Sequence, residues 1–229
     1  MPESLAQTVL TPLYLSLKVA SFATIFALIT GVLSAYLISR YKGRFVDLID
    51  ALLTLPMVMP PPVLGYYLLV FLGRKSALGE FLQNNFGINL IFTWEGAVLA
   101  AGLVAFPLVY KAGRAALEDV ELHFQDAGRI LGLSEWMVFL RITLPLAWRG
   151  ILAGGMLAFA RALGEFGATL MVAGNLPGKT QTLSVAVYAA VQAGKNDLAN
   201  FLVILISVVC VLILVASGRL IKPRYALNQ

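Results

Sequence analysis

The sequence has 229 residues, of which 59% are hydrophobic and 13% are charged, with a formal net charge of +5. Soluble domains contain about 45–50% apolar and about 25% charged residues, so this composition excludes an ordinary soluble domain and indicates a polytopic membrane protein. The single cysteine, Cys210, lies in an apolar run and cannot form an intrachain disulfide. No polar block is long enough to fold alone, so we predict one all-α membrane helix bundle over residues 1–229.

Five apolar runs are long enough to cross about 30 Å of hydrocarbon, which takes about 20 helical residues. Glu3 stands where a secretory signal would be basic, so we expect the first span to stay in the mature protein. A sixth run, at 181–193, is too short to cross, and we predict a short helix at the outer face or dipping into it. The predicted spans are 13–39, 50–72, 95–112, 148–173 and 199–217.

Lysine and arginine side chains are distributed unevenly between the two sides of these spans. With the N-terminus outside and the C-terminus in the cytoplasm, eleven basic residues are cytoplasmic and four lie in outer loops, as the positive-inside rule requires. No base-stacking motif accompanies this charge, so we expect no nucleic-acid partner and assign the charge to topology. The cytoplasmic set is Arg40, Lys42, Arg44, Lys111, Arg114, Arg129, Arg141, Arg149, Arg219, Lys222 and Arg224.

The predicted cytoplasmic loop at about 113–147 carries apolar residues at spacings of three and four, which predicts one amphipathic helix. Gly132 stands where a glycine often ends a helix, and Ser134 can cap a second short helix that begins at Glu135. Pro145 marks the approach to the next span. An amphipathic helix of this kind either docks in a groove of another protein or lies on the lipid surface, and physical reasoning leaves both open. The apolar stripe is Leu117, Val120, Phe124, Ala127 and Leu131.

The spacing in this loop resembles the EAA loop of ABC-importer permeases, whose pattern is Glu-Ala-Ala, three residues, Gly, nine residues, Ile, one residue, Leu-Pro. Asp replaces Glu here and Gly replaces the second Ala, which keeps a charge and a small residue, although glycine weakens a helix by up to about 1 kcal/mol. The resemblance implies a coupling helix at 122–133 that sits in a cleft of a cytoplasmic ATPase and transmits its closure. The matching positions are Asp126, Ala127, Gly128, Gly132, Ile142, Leu144 and Pro145.

Two further stretches, LPMVMPPPVLGYYLLVFLGR at 55–74 and ARALGEFGATLMVAGNLPGKTQT at 160–182, are similar to the molybdate-transport permease family. The resemblance covers most of the chain, about 10–218, and implies a type I ABC importer transmembrane domain in the bacterial inner membrane. It implies import of molybdate, with tungstate accepted as a near-isosteric oxyanion. A permease for tungstate alone, sulfate or phosphate is the alternative, and a membrane scaffold or passive channel without an ATPase is the alternative of a different class.

The resemblance implies a transport subunit that is not itself an enzyme. AGNLPGKT at 173–180 ends like a nucleotide-binding P-loop, but Ala173 occupies the position of its first glycine, and the lone His123 excludes a His-rich metal cluster. We expect no cofactor or metal on this chain, with ATP and Mg bound by the partner. The implied partners are two cytoplasmic ATPase subunits, a second copy of the chain, the lipid bilayer, and a periplasmic or tethered oxyanion-binding protein received by loops 73–94 and 174–198.

Candidate pathway residues lie in the second and fourth predicted spans. Pro60, Pro61 and Pro62 remove three backbone donors and must break or kink the second span, either as a structural kink or as part of a cavity wall. Thr54 and Thr169 can offer hydroxyls to an anion or can simply pack.

Arg161 and Glu165 are opposite charges deep within the fourth predicted span. Because they are four residues apart, we predict that they share one helix face and pair, as a structural or gating pair. An unpaired charge at the middle of the bilayer costs about 2.5–3.5 kcal/mol on the insertion scale, so pairing or a wet surface is required. Direct binding of the oxyanion by Arg161 is the alternative.

Overall fold

The computed structural model describes residues 6–41 and 43–221, which form eleven α-helices and no strand. Of the predicted cytoplasmic basic residues, Lys42, Lys222 and Arg224 lie outside the described residues. A π-helical turn, Ala6–Leu10, leads into the first helix, and a second, Phe139–Thr143, joins the seventh helix to the eighth. The helices are α1 (Thr11–Arg40), α2 (Val46–Val58), α3 (Pro61–Leu72), α4 (Ala77–Phe86), α5 (Trp94–Glu118), α6 (Leu122–Ile130), α7 (Glu135–Val138), α8 (Leu144–Leu163), α9 (Gly167–Ala173), α10 (Leu183–Gln192) and α11 (Asn196–Ile221).

Four helical runs in the described residues are long and apolar enough to cross a membrane, and counting one bent pair of helices as a single span gives the predicted five. The pair is α2 and α3, and the chain bends by 108° between them. This confirms the predicted break of the second span at its prolines. Pro61 is the first residue of α3, where the missing N–H would have had no helical partner. The short helix predicted within 181–193 is α10, and the N-out orientation stays a prediction.

α5 is the central helix, and α1 and α8 pack along it. Small residues let these backbones approach closely, which is how helices associate in lipid, where the hydrophobic effect does not drive them together. A Cβ on Gly31 of α1 would lie 2.9 Å from the Val109 side chain, and one on Gly154 of α8 would lie 2.6 Å from Ala112 Cβ. Further small buried residues on α1 are Ala20, Ala23, Ala27 and Ala35.

The predicted fourth span, 148–173, is wrong at both ends. α7, the π turn and α8 form one continuous helical run from Glu135 to Leu163. The chain then leaves the helix at residues 164–166, and α9 is a separate helix of seven residues. A Cβ on Gly167 would lie 3.0 Å from both Pro61 and Pro62, so the start of α9 is seated against the broken second span.

The single amphipathic helix predicted through Leu117 and Leu131 is also wrong, because the structure has two helices there. α5 extends to Glu118, the chain turns at 119–121, and α6 begins at Leu122. Leu117 is buried in the core, whereas the Leu131 residue is 81% exposed. The segment between the two candidate spans is therefore 119–134, shorter than the predicted loop of about 113–147.

Candidate functional site

The end of α6 is fixed by two backbone hydrogen bonds. The Gly132 N–H donates to the Arg129 carbonyl at 2.9 Å, and the Leu133 N–H donates to the Gly128 carbonyl at 3.1 Å. This is a Schellman arrangement, which needs a left-handed residue, and Gly132 has φ +81°. Ser134 then caps α7 by accepting from the Met137 N–H at 3.4 Å. Both predictions, the helix end at Gly132 and the cap at Ser134, are confirmed.

One face of α6 is apolar and has no partner within the described chain. Ile130 is 85% exposed, and Phe124 and Ala127 are also exposed. Leu131, directly after the helix, extends the same surface. Phe124, Ala127 and Leu131 are spaced at i, i+3 and i+7, the spacing by which a helix lies in a groove.

Gly128, beside this face, is turned toward its own chain. It is buried, and a Cβ there would lie 2.5 Å from Ile142 Cδ1 and 3.3 Å from Val138 Cγ2. Thus two predicted coupling residues, Gly128 and Ile142, meet each other and seat α6 on the π turn. Leu144 packs against the core, and Pro145 lies within the continuous helix, just after the π turn. The wider turn leaves room for a proline ring that would clash with an α-helical turn.

Arg129 forms ion pairs with Asp126 of its own helix, α6, and with Glu135 of α7. It lies 2.5 Å from Asp126 through Nη1 and donates from Nε to Glu135 Oε1 at 2.8 Å. The hydrogen bond to Glu135, and then that to Asp126, raise the pKa of the Arg129 guanidinium, which stays cationic. Asp126 stands where the EAA pattern has glutamate, and its side chain is 61% exposed.

The second group of predicted residues lies where two broken helices meet. The α2–α3 break carries Pro60, and the α8–α9 break carries Glu165. The close approach of Gly167 to Pro61 and Pro62 brings both breaks together, which the sequence did not predict. Irregular backbone at membrane depth occurs where it is buried in protein or lines a cavity.

The predicted pair of Arg161 and Glu165 forms, with Arg161 Nη1 2.8 Å from Glu165 Oε2. The prediction that both share one helix face is wrong, because α8 ends at Leu163 and Glu165 lies beyond it. The contact lacks the angles of a hydrogen bond, whereas Glu165 Oε1 accepts from the Ala168 N–H at 2.8 Å. The Glu165 side chain is 1% exposed and that of Arg161 37%, so the carboxylate is buried and the guanidinium reaches an open surface.

The two threonines differ. The Thr54 hydroxyl donates within its own helix, 2.8 Å from the Asp50 carbonyl, and so has no hydrogen free for an anion in this conformation. Thr169 is buried, and its hydroxyl has no hydrogen-bond partner among the described residues. The described residues also contain no group of three or more His, Cys, Asp or Glu side chains placed to hold a metal ion.

The sequence pattern of a protein family, described as binding-protein-dependent transport system inner membrane component, matches residues 27–227. The chain belongs to this family. Relatives of this inner membrane component include the molybdenum transport system permease protein ModB of Escherichia coli (strain K12), 45% identical over 205 residues, 89% of this chain and 90% of that protein. The putative molybdenum transport system permease protein YvgM of Bacillus subtilis (strain 168) is 42% identical over 215 residues, 93% and 95% of the two chains.

Solved structures show the same fold. A chain of the inward-facing MetNI methionine ABC transporter matches this inner membrane component with a TM-score of 0.73 at 16% identity, covering 96% of this chain and 98% of that chain. A bacterial ABC transporter involved in alginate import matches with a TM-score of 0.72 at 15% identity, covering 96% and 80%. The resemblance to ABC-importer permeases is thus confirmed at the level of fold.

A polar cluster that was not predicted from the sequence joins α2 to α5. Asp50 of α2 accepts from the Tyr110 hydroxyl at 2.7 Å and from Arg114 Nη1 at 2.9 Å, and lies 2.5 Å from Lys111 Nζ. The sequence does contain a sign of this cluster. The acidic Asp50 stands at the start of one apolar run, and the basic Lys111 and Arg114 stand at the end of the next. Only the antiparallel approach of α2 and α5 turns those two ends into a contact.

Proposed function

We propose that the chain is the membrane subunit of a molybdate importer driven by ATP hydrolysis on separate ATPase subunits. The substrate assignment rests on one observation. The chain is 45% and 42% identical in sequence, over about nine-tenths of its length, to two permeases named for molybdenum transport. Tungstate is expected as a second substrate because it is nearly isosteric with molybdate. Sulfate and phosphate remain the competing substrates that an uptake assay must separate.

The coupling function is assigned to α6. Its exposed apolar face, with Ile130 and Leu131 outermost, supports docking in a groove of the ATPase. A helix that binds the lipid surface usually carries several basic residues on its polar face. α6 has one arginine, Arg129, and that side chain is occupied by Asp126 and Glu135. This favours the protein groove over the lipid surface.

Two copies of the chain are proposed to enclose the pathway on a two-fold axis, with the N-termini outside. α2 has no buried residue, and large apolar side chains such as Leu52 and Tyr66 are exposed on α2 and α3. A second copy can cover this surface and complete a bundle of ten spans around the broken helices. ATP-driven closure then draws the two coupling helices together and turns the pathway outward, and hydrolysis resets it.

The opposite end of the bundle is proposed to receive the oxyanion-binding protein. An open cavity of about 490 Å³ lies there between loop 174–181, α1, α10 and the start of α11. Its polar lining includes Thr11, Asn175, Gln181 and Lys195. Hydrogen-bond donors and a cation at this end suit the delivery of an anion.

Reconstitution with the cognate ATPase and binding protein tests the proposal. We expect molybdate-loaded binding protein to stimulate both ATP hydrolysis and molybdate uptake, and equimolar sulfate to leave uptake largely intact. Strong inhibition by equimolar sulfate would reject the substrate assignment. Uptake that proceeds without any copurifying ATPase would instead support a passive channel.

A paired substitution tests the docking surface in the same preparation. Ile130→Asp places a charge on the 85%-exposed residue of α6, and the ATPase should no longer copurify, because an unpaired charge is costly to bury in an interface. Ile88→Asp makes the same change at a 46%-exposed isoleucine between α4 and α5, and the ATPase should remain. Equal ATPase recovery from both variants would remove α6 as the docking helix.

A further inference from the structure

Glu135 is shared between two arginines from different helices. Its carboxylate accepts from Arg129 of α6 through two hydrogen bonds, Nε to Oε1 at 2.8 Å and Nη2 to Oε2 at 3.3 Å. Arg40, at the end of α1, donates from Nη2 to Glu135 Oε2. One side chain thus joins the coupling helix to the last turn of the first span.

The α1 end of this connection is held in place by further contacts. Arg40 Nη1 donates to the Tyr36 hydroxyl at 2.6 Å, and that hydroxyl donates to the Glu135 carbonyl at 3.5 Å. The Tyr36 ring lies 4.0 Å from the Phe139 ring and 6.1 Å from Trp136. Arg40 is therefore oriented toward Glu135 by its own helix and by the aromatic cluster.

α6 has no comparable apolar contact with α1. It packs against α7 and the π turn, and a cavity of about 250 Å³ lies between α6, the end of α1 and the end of α5. Glu135, Arg40 and Gln125 are among the residues that line it. The bridge through Glu135 crosses the edge of this space, where side-chain packing is missing.

The exposure of these groups argues against a role in folding. The side chains of Arg40, Arg129 and Glu135 are 38%, 34% and 49% exposed. Ion pairs at such positions add little to the stability of a fold, but an Arg–carboxylate fork fixes the relative orientation of its partners. We infer that Glu135 is a positioning residue through which movement of the coupling helix is transmitted to α1, an inference that rests on the proposed ATPase docking of α6.

The test uses the full complex of permease, ATPase and binding protein in lipid nanodiscs. The readout is the ratio of ATP hydrolysis with molybdate-loaded binding protein to hydrolysis without it. We expect Glu135→Gln to lower this ratio about tenfold, a typical size for coupling between distant sites, while the ATPase still copurifies. The matched control is Glu118→Gln, because Glu118 is also 49% exposed but, among the described residues, pairs within its own helix, with Arg114. Its ratio should stay within about twofold of wild type.

A mechanical rescue separates transmission from a local structural effect. In a Cys210→Ala background, Arg40→Cys with Arg129→Cys removes both arms of the bridge and should lower the ratio as Glu135→Gln does. A reducible bis-methanethiosulfonate linker between the two thiols should restore the ratio, and reduction should abolish it again.

Three outcomes would overturn the inference, namely a wild-type ratio in Glu135→Gln, loss of the ATPase from that variant, or a linker that restores nothing. A wild-type complex that loaded binding protein fails to stimulate would instead reject the proposed function itself.

Discussion

The α1–α5–α8 core and the coupling segment at 119–134 are stabilised in opposite ways. In the core, small residues bring backbones together, and 67% of the membrane window of α5 is buried. In the coupling segment the large apolar side chains are exposed, and the elements are held by a Schellman turn, a serine cap and exposed ion pairs. The first region leaves almost no space between helices, and the second borders a cavity.

This difference separates a rigid body from a part that a partner can move. Overpacking a tight helix interface costs about 1–3 kcal/mol, whereas an exposed ion pair contributes about 0–1 kcal/mol. Under the proposed docking, closure of an ATPase would displace α6 without disrupting the core, and the bridge through Glu135 would pass that displacement to α1, so that the core moves as a unit. The broken helices α2–α3 and α8–α9 are attached to that core through α5 and α8, so its movement reaches them.

The largest effect is expected from Gly154→Leu in the core. A Cβ at this position would already lie 2.6 Å from Ala112 Cβ and 3.3 Å from the Leu108 carbonyl oxygen, so the larger side chain must separate α8 from α5. We expect the free energy of unfolding to fall by about 3 kcal/mol. The measurement is the thermal midpoint of unfolding in detergent, which should fall with it. Gly218→Leu, in α11 with no atom of the described residues within 4 Å of its Cβ, is the control. Equal shifts in the two variants would contradict a rigid core.

An intermediate effect is expected from Asp50→Ala, which cuts the tie between α2 and the core. Tyr110 is fully buried and would lose the acceptor of its hydroxyl, a loss of about 1–2 kcal/mol, whereas Lys111 is half exposed and can be solvated again. Asp47→Ala, at an exposed position of the same helix, should change the thermal midpoint little. A midpoint for Asp50→Ala as high as that of Asp47→Ala would show that α2 is held by apolar packing alone.

Much of this architecture could be predicted from residue patterns. The five apolar runs, the proline break and the turn at Gly132 and Ser134 follow from local rules of hydropathy, proline geometry and capping. The ends of the helices do not follow from these rules. Apolar residues continue past Leu163, so hydropathy cannot detect the break at 164–166, which depends on the hydrogen bond from the Ala168 N–H to Glu165 and on contact with the prolines of another helix.

The coupling role of the candidate site stays a prediction, whereas the structure shows its local geometry. The spacing that resembles the EAA loop pointed to the segment at 119–134, but it could not show that Gly128 faces inward to Ile142 while Ala127 faces outward. A helical repeat of three and four residues continues unchanged across the turn at 119–121, and so it joined two helices into one. The connection of Arg40 to Glu135 spans 95 residues and depends on tertiary packing that no local pattern contains.

The smallest effect, and the sharpest comparison, is expected from alanine at two buried glycines. At Gly128 the new Cβ meets Ile142 Cδ1 at 2.5 Å, the far end of a flexible side chain that can rotate away, and better helix propensity offsets part of the cost. We therefore expect Gly128→Ala to change the free energy of unfolding by less than about 1 kcal/mol. At Gly154 the same change meets Ala112 Cβ, which is fixed to its backbone, and should cost more. If thermal unfolding shows equal losses of stability for Gly128→Ala and Gly154→Ala, then α6 is packed as tightly as the core. In that case α6 cannot move independently of the core.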